Sequence, residues 1–213
     1  MDNERRNVEI SKNYKSMKNI IIFGAPGSGK GTYSEEIKNR YGMGHISTGD
    51  VLRAEIKNGT ELGKIAQGYI DNGQLIPDQL MIDILALQYD SHPTGKGVIF
   101  DGFPRTIAQA EALKRMLAER GHDLGMMIEL IVGEDVLMER LLRRAQIEGR
   151  ADDNEETIRK RFAVYHSQTE PLSKWFAAEG IRHTFDWGVC KTKEGMLEAI
   201  FQEIEKENGG VES

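Results

Sequence analysis

Residues 24–32 read GAPGSGKGT and follow directly on the apolar run NIIIF at 19–23. A short β-branched run that ends in a glycine-rich turn and passes into a helix-forming stretch is a strand–loop–helix unit. It commits the chain to an α/β fold with the loop at the carboxyl edge of a strand. Gly24, Gly27 and Gly29 permit a backbone whose successive N–H groups point at one centre, the geometry of a phosphate cradle. Lys30 adds a point charge for β- and γ-phosphates, and a hydroxyl after it can serve Mg²⁺. The strict pattern G-x-x-x-x-G-K-[ST] is nevertheless broken: Gly31 follows Lys30, and the hydroxyl comes one place later, at Thr32. A glycine turn with no ligand is the plain alternative, and the strand before it and helical run after it weigh against that.

Four further apolar runs are rich in β-branched or aromatic residues: GHIS (44–47), GVIFD (97–101), MMIELIV (126–132) and RHTF (182–185). Stretches with helical spacing, such as 32–40 and 107–120, lie between them, so the pattern predicts a five-stranded parallel sheet flanked by helices. GHIS and RHTF are weak in composition and rest mainly on their position. Residues 48 to 92 carry only helical and turn signals and predict a small helical insertion. AQIEGRADD (145–153) predicts a short polar loop between two arginine-bearing helices. The first seventeen residues are polar and lack the apolar stretch of a secretory signal. They are expected to form a disordered tail, with Met17 as an alternative start, ahead of one domain over 18–213.

The chain has 213 residues and a formal net charge of -6, so a broad basic face for nucleic acid is not expected, and any anion site must come from locally clustered Arg and Lys. The single cysteine, Cys190, excludes an internal disulfide and a cysteine-rich zinc site. The five histidines are dispersed without ligand spacing. No apolar run is long enough to span a membrane, and a cytoplasmic monomer is expected.

The cradle G-x-P-G-x-G-K-G-T is similar to that of the nucleoside monophosphate kinases, in which glycine regularly follows the lysine. STGDVLR (47–53), GQLIPD (73–78), DGFPRTIAQ (101–109) and GRADDNEETIRKR (149–161) follow in the order found in adenylate kinases. The sequence resembles an adenylate kinase of the short-lid type over most of residues 18–210. The resemblance implies a P-loop kinase core with an NMP-binding subdomain at 47–76 and a short lid at 144–154. It implies the reversible reaction ATP + AMP ⇌ 2 ADP with Mg²⁺.

Residue by residue, the resemblance implies that Gly27, Ser28, Gly29, Lys30, Gly31 and Thr32 hold ATP phosphates, with Arg140 along the donor adenine and Gly188 in the loop near that base. Arg53 and Arg105 would hold the acceptor phosphate, and Arg144, Arg150 and Arg161 would close over the transferring group, the last two also reaching AMP. The AMP pocket would take Thr48, Gln74, Leu75, Ile76, Gly102, Phe103, Pro104 and Gln109. Thr48 and Gln109 accompany adenine recognition in adenylate kinases, and a glutamine amide can both donate to and accept from an adenine edge. Arginine suits this work because its planar fork binds phosphate oxygens in pairs. Asp101 ends the run VIFD, where a carboxylate could orient water on Mg²⁺, or simply occupy a turn. For Asp152 and Asp153 two readings stand: a catalytic role, or an N-cap at Asp153 with Glu156 completing a capping box. Arg140, Arg143 and Arg144 are read as one helix face.

Two positions depart from the family pattern. Ala145 follows Arg144 where glycine is usual, which could alter lid opening unless Gly149 compensates, and Tyr33 stands where glutamine is common. Only AQIEG separates Arg144 from Arg150, so the long-lid domain with its occasional zinc site is absent. A UMP- or CMP-preferring kinase is the nearest alternative, against which Thr48 and Gln109 argue. A non-enzymatic nucleotide-binding regulator is a further one; the sequence contains no N-K-x-D for guanine. Trp175, Phe176 and the methionines are read as packing residues.

Overall fold

The computed structural model describes residues 17–92 and 96–208. The expected tail therefore lies outside the described residues except for Met17, which is buried in the core. Five strands among the described residues form one parallel sheet in the order β2-β3-β1-β4-β5. They are β1 (Asn19–Gly24), β2 (Gly44–Ser47), β3 (Val98–Asp101), β4 (Leu124–Ile131) and β5 (Arg182–Asp186). The weak runs GHIS and RHTF take the two edges, where each needs only one paired neighbour. The central strand β1 is buried along its whole length, as a parallel strand covered on both faces must be.

The period-2 alternation sorts its residues to the two faces. Ile21 and Phe23 join Phe100 and Met127 on one side; Ile20 and Ile22 join Ile99, Met126 and Ile128 on the other. The first face is covered by α4 (Asp78–Asp90), α5 (Ile107–Glu119) and α8 (Pro171–Ala178), through Leu85, Leu113, Leu117, Leu172 and Phe176. The second is covered by α1 (Lys30–Tyr41) and α10 (Lys193–Glu207), through Ile37, Tyr41, Met196, Ile200 and Ile204. The helical insertion consists of α2 (Thr48–Lys57), α3 (Glu61–Asp71) and α4. A third apolar cluster joins α6 (Glu134–Glu148) to α7 (Glu155–Val164) through Leu137, Leu141, Ile158 and Phe162. A π-helical turn at Tyr165–Thr169 links α7 to α8, and the short α9 (Trp187–Cys190) follows β5. Trp175 packs edge-on against the fully buried Phe176.

The polar segment 145–153 differs from its expected loop. Helix α6 continues through Ala145 to Glu148, and only then does Gly149 end it at φ 66, its N–H donating to the Ala145 carbonyl. Ala145 is thus an ordinary helical residue, for which alanine has the highest propensity, and the left-handed turn falls to Gly149, which has no Cβ to strain it.

Candidate active site

The carboxyl ends of β1 and β3 lie side by side, with Ile22 opposite Asp101 in register, and open into a cleft of about 680 Å³. A parallel sheet places its ligands at this edge. The loop after β1 lines the cleft with Gly24, Gly27, Gly29, Lys30, Gly31 and Thr32. Gly27 at φ 84 leaves no room for a side chain: a Cβ there would meet Leu141 Cγ at 2.9 Å and the Leu137 carbonyl at 3.1 Å. Helix α1 begins at Lys30, so its first N–H groups face the same space. Lys30 Nζ is held back over the loop by the carbonyls of Gly24 and Ala25, at 2.8 and 3.0 Å. Ser28 belongs to the same loop but does not line the cleft: its side chain is buried, and its Oγ has no partner among the described residues.

Arg53, Arg105, Arg140, Arg144, Arg150 and Arg161 line the same cleft. Burial pushes the Lys30 ammonium down to about 8, with Arg105, Arg161 and Arg144 adding to the shift and Asp101 opposing it. Arg105 is lowered to about 10, by burial first and then by Arg161 and Arg53, again against Asp101. Burial also lowers Arg161, despite Asp152 and Asp153. These cations crowd one another, and a polyanion in the cleft would relieve the crowding.

Most of the arginines rest on oxygen acceptors. Arg105 Nε donates to the Gly102 carbonyl at 2.7 Å, and Arg53 pairs with Asp50. Arg150 Nε donates to Glu148 at 2.6 Å. Arg144 grips Asp153 with two donors, at 2.6 and 2.8 Å, and Arg161 Nη1 donates to Asp153 at 2.8 Å and Asp152 at 3.1 Å. The Asp153 side chain is fully buried. Burial alone would raise its pKa, but the hydrogen bonds and charges of Arg144 and Arg161 outweigh this and hold it below the usual carboxylate value. The expected cap at Asp153 is therefore corrected. Asn154 caps α7, accepting from the Thr157 N–H at 2.9 Å, while Glu156 pairs with Lys160. The helix starts at Glu155, so the cap position falls to Asn154, and Asp153 one place earlier turns its carboxylate to the two arginines. Arg143 is exposed and does not line the cleft, unlike Arg140 and Arg144.

A second pocket opens beside the first, between α2, α3 and the loop after β3. Thr48, Arg53, Gln74, Leu75, Ile76, Gly102, Phe103, Arg105, Gln109 and Arg161 line it, together with Asp152. Pro104 lies on the cleft side, joined to Phe103 by a cis peptide bond. Thr48 caps nothing; its Oγ1 donates to the Gly102 carbonyl at 3.0 Å. Gln109 is buried as a bracket, its Oε1 accepting from the Arg105 N–H at 2.7 Å and its Nε2 donating to Asp78 at 2.8 Å. An amide has two N–H groups and two lone pairs, so one of each remains.

Gly188 does not line the cleft; it is exposed, and its N–H is given to Asp186 Oδ1 at 2.7 Å. Sequence reasoning passed over two residues at or beside it. His45 lines the cleft with Nε2 3.7 Å from Asp101 Oδ2, and Trp187, outside the cleft lining, lies against Arg140 with the guanidinium carbon 4.3 Å from a ring centroid. Neither had a local signal: a histidine on an edge strand and a tryptophan after another strand acquire their neighbours only through the fold.

A family model described as "Adenylate kinase" matches residues 22–181. An adenylate kinase of Bacteroides thetaiotaomicron is 64% identical over 191 residues, covering 89% of this chain and 100% of that protein. One of Bacteroides fragilis is 62% identical over 190 residues, covering 89% and 99%, and one of Porphyromonas gingivalis is 54% identical over 167 residues, covering 78% and 86%.

Proposed function

This chain belongs to the adenylate kinase family, and we propose the following division of labour among its residues in moving a phosphoryl group between adenine nucleotides. ATP lies along the 24–32 loop with its phosphates on the loop N–H groups and Lys30. AMP lies in the pocket between α2, α3 and the loop after β3, its phosphate toward Arg53 and Arg105. The two pockets share Arg53, Arg105 and Arg161, and that shared cationic boundary is the observation that carries the reading.

An AMP phosphate, with a second pKa of about 6, is already an oxygen nucleophile at neutral pH. One of its oxygens attacks the γ-phosphorus of ATP, the bond from that phosphorus to the β–γ bridging oxygen breaks, and both products are ADP. Little acid–base work is required, and the protein contributes alignment and positive charge. Arg144, Arg150 and Arg161 would trade their carboxylate partners for the oxygens of the transferring group. Closing of 47–76 and 144–154 over the nucleotides would exclude water as a competing acceptor. Thr32 and Asp101 line the cleft on the same side as Lys30 and offer only hard oxygen donors, which suit Mg²⁺; Thr32 would ligate it directly and Asp101 through water. Bound there, Mg²⁺ would neutralise charge on the β- and γ-phosphates.

No helix among the described residues is long and apolar enough to cross a membrane; a cytoplasmic monomer working on ATP, AMP and ADP without nucleic acid fits this reading. The test is steady-state transfer from Mg·ATP to AMP, GMP, CMP, UMP and dAMP, with diphosphates followed by chromatography. Strong preference for AMP is expected. Preference for a pyrimidine would overturn the roles of Thr48 and Gln109, and absence of transfer by folded, ATP-binding protein would overturn the reading.

A further inference from the structure

Among the arginines that line the cleft, Arg140 is held differently. Arg53, Arg105, Arg144, Arg150 and Arg161 each rest on a carboxylate or carbonyl oxygen. Arg140 makes no hydrogen bond or ion pair among the described residues; its guanidinium lies instead over the indole of Trp187, 4.3 Å from a ring centroid. That separation is well inside the range of a cation–π stack. The indole itself is firmly seated. Trp187 opens α9, whose start is fixed by Asp186 accepting from the Gly188 N–H and whose end is fixed by Lys191 N–H donating to the Trp187 carbonyl at 2.8 Å. Its ring packs with Cys190 and Leu197 against the apolar cluster that includes Tyr33 and Phe185, and it does not line the cleft. Arg140 does line the cleft, so the guanidinium stands between indole and nucleotide space.

A planar guanidinium has two faces, and the indole covers one. An unrestrained arginine carries rotamer entropy of about 2 kcal/mol, which a ligand must overcome when it fixes the side chain. Seating the group on a rigid ring removes part of that cost beforehand. Oxygen acceptors aim a guanidinium edge-on, as phosphate binding needs; an aromatic ring holds it flat, as stacking on a second ring needs.

We propose that Trp187 is a positioning residue for the donor nucleotide: it holds Arg140 flat, so that the opposite guanidinium face stacks on the donor base in an indole–guanidinium–base sandwich. This rests on the reading that places the donor base along Arg140. Trp187 itself never touches substrate.

The test compares Trp187→Ala, Trp187→Phe and Arg140→Ala with the parent in steady-state kinetics, varying ATP and AMP separately. It adds a fluorescence titration of Trp175→Phe, which leaves Trp187 as the one tryptophan, with a non-hydrolysable ATP analogue and with AMP. Trp187→Ala should raise KM for ATP about fivefold, with kcat and KM for AMP within about twofold, and Trp187→Phe should recover most of the loss. Trp187 emission should respond to the ATP analogue and not to AMP. If Arg140→Ala raises KM for ATP and Trp187→Ala does not, the positioning role is overturned while the donor-base reading stands. If Arg140→Ala also leaves KM for ATP unchanged, the donor-base reading falls and takes the proposal with it. If Trp187→Ala raises both KM values alike and lowers the melting temperature, Trp187 only packs and the proposal is overturned.

Discussion

Replacing Asp153 by asparagine tests how strongly the site depends on a carboxylate. Asp153 is fully buried and accepts three hydrogen bonds from two arginines. Removing one member of a buried ion pair costs about 3–5 kcal/mol. Two features reduce this: asparagine keeps the shape and one acceptor oxygen, and Arg144 and Arg161 remain 26% and 21% exposed, so water can solvate part of their charge. A loss of about 2–3 kcal/mol is expected, equivalent to a fall in melting temperature of roughly 5–9 °C for a chain of this size. Part of it would appear as lost activity, because both freed guanidiniums belong to the set proposed to meet the transferring phosphoryl group.

The pH dependence separates this charge effect from a simple packing defect. The folded-state pKa of Asp153 is depressed below its unfolded value, so its contribution is complete above about pH 4 and is lost as pH falls through the lower folded value. Urea unfolding of the parent and Asp153→Asn at several pH values should therefore show a constant gap from pH 8 to 5 that narrows below about 4. A gap smaller than about 0.5 kcal/mol at pH 7, or one that stays unchanged down to pH 3, would refute the reasoning.

The depressed Lys30 ammonium, at about 8 in the free protein, should be restored upward by bound polyphosphate. Binding then takes up a proton above that pH, and calorimetry at pH 7, 8, 9 and 10 should show ATP affinity falling toward roughly tenfold per pH unit above 8; a flat profile would disprove it. Gln109→Leu strands the Arg105 N–H and leaves Asp78 with Thr106 Oγ1 as its remaining donor, so about 1–2 kcal/mol of stability should be lost and KM for AMP should rise more than KM for ATP. Gly149→Ala puts a Cβ at φ 66 with open space around it, and backbone strain alone should lower stability by about 1 kcal/mol in thermal unfolding.

The core was legible because each of its signals is local. NIIIF, GVIFD and MMIELIV announce strands by composition, and the cradle announces its loop by glycine and lysine spacing. GHIS and RHTF were weaker because edge strands need fewer apolar residues. Segment 145–153 misleads for a related reason: the end of α6 faces solvent, so even Ile147 is exposed, and AQIE lacks the apolar face that marks a helix in sequence. Gln109 illustrates a different limit. Its presence in the second pocket followed from the motif, whereas its duty as a bracket between Arg105 and Asp78 depends on α4 and α5 lying side by side.

Positive charges were easier to read than the groups that hold them. The arginines announce a phosphate site by type alone, while Asp152 and Asp153 looked equally suited to capping a helix, and Glu148 carried no signal. In the folded chain these carboxylates keep Arg144, Arg150 and Arg161 satisfied without ligand. Without such partners, cations this close together would repel one another and destabilise the cleft. On phosphate binding each guanidinium would exchange one set of anionic oxygens for another, so the net electrostatic cost of rearrangement is a difference between two large and similar terms. That difference depends on the carboxylates as much as on the arginines. Removing Glu148, the most exposed of the three, should therefore tighten ATP binding by freeing Arg150, whereas removing Asp153 should damage stability first. Glu148→Gln measured beside Asp153→Asn would separate the two, and weaker ATP binding by Glu148→Gln would refute the exchange.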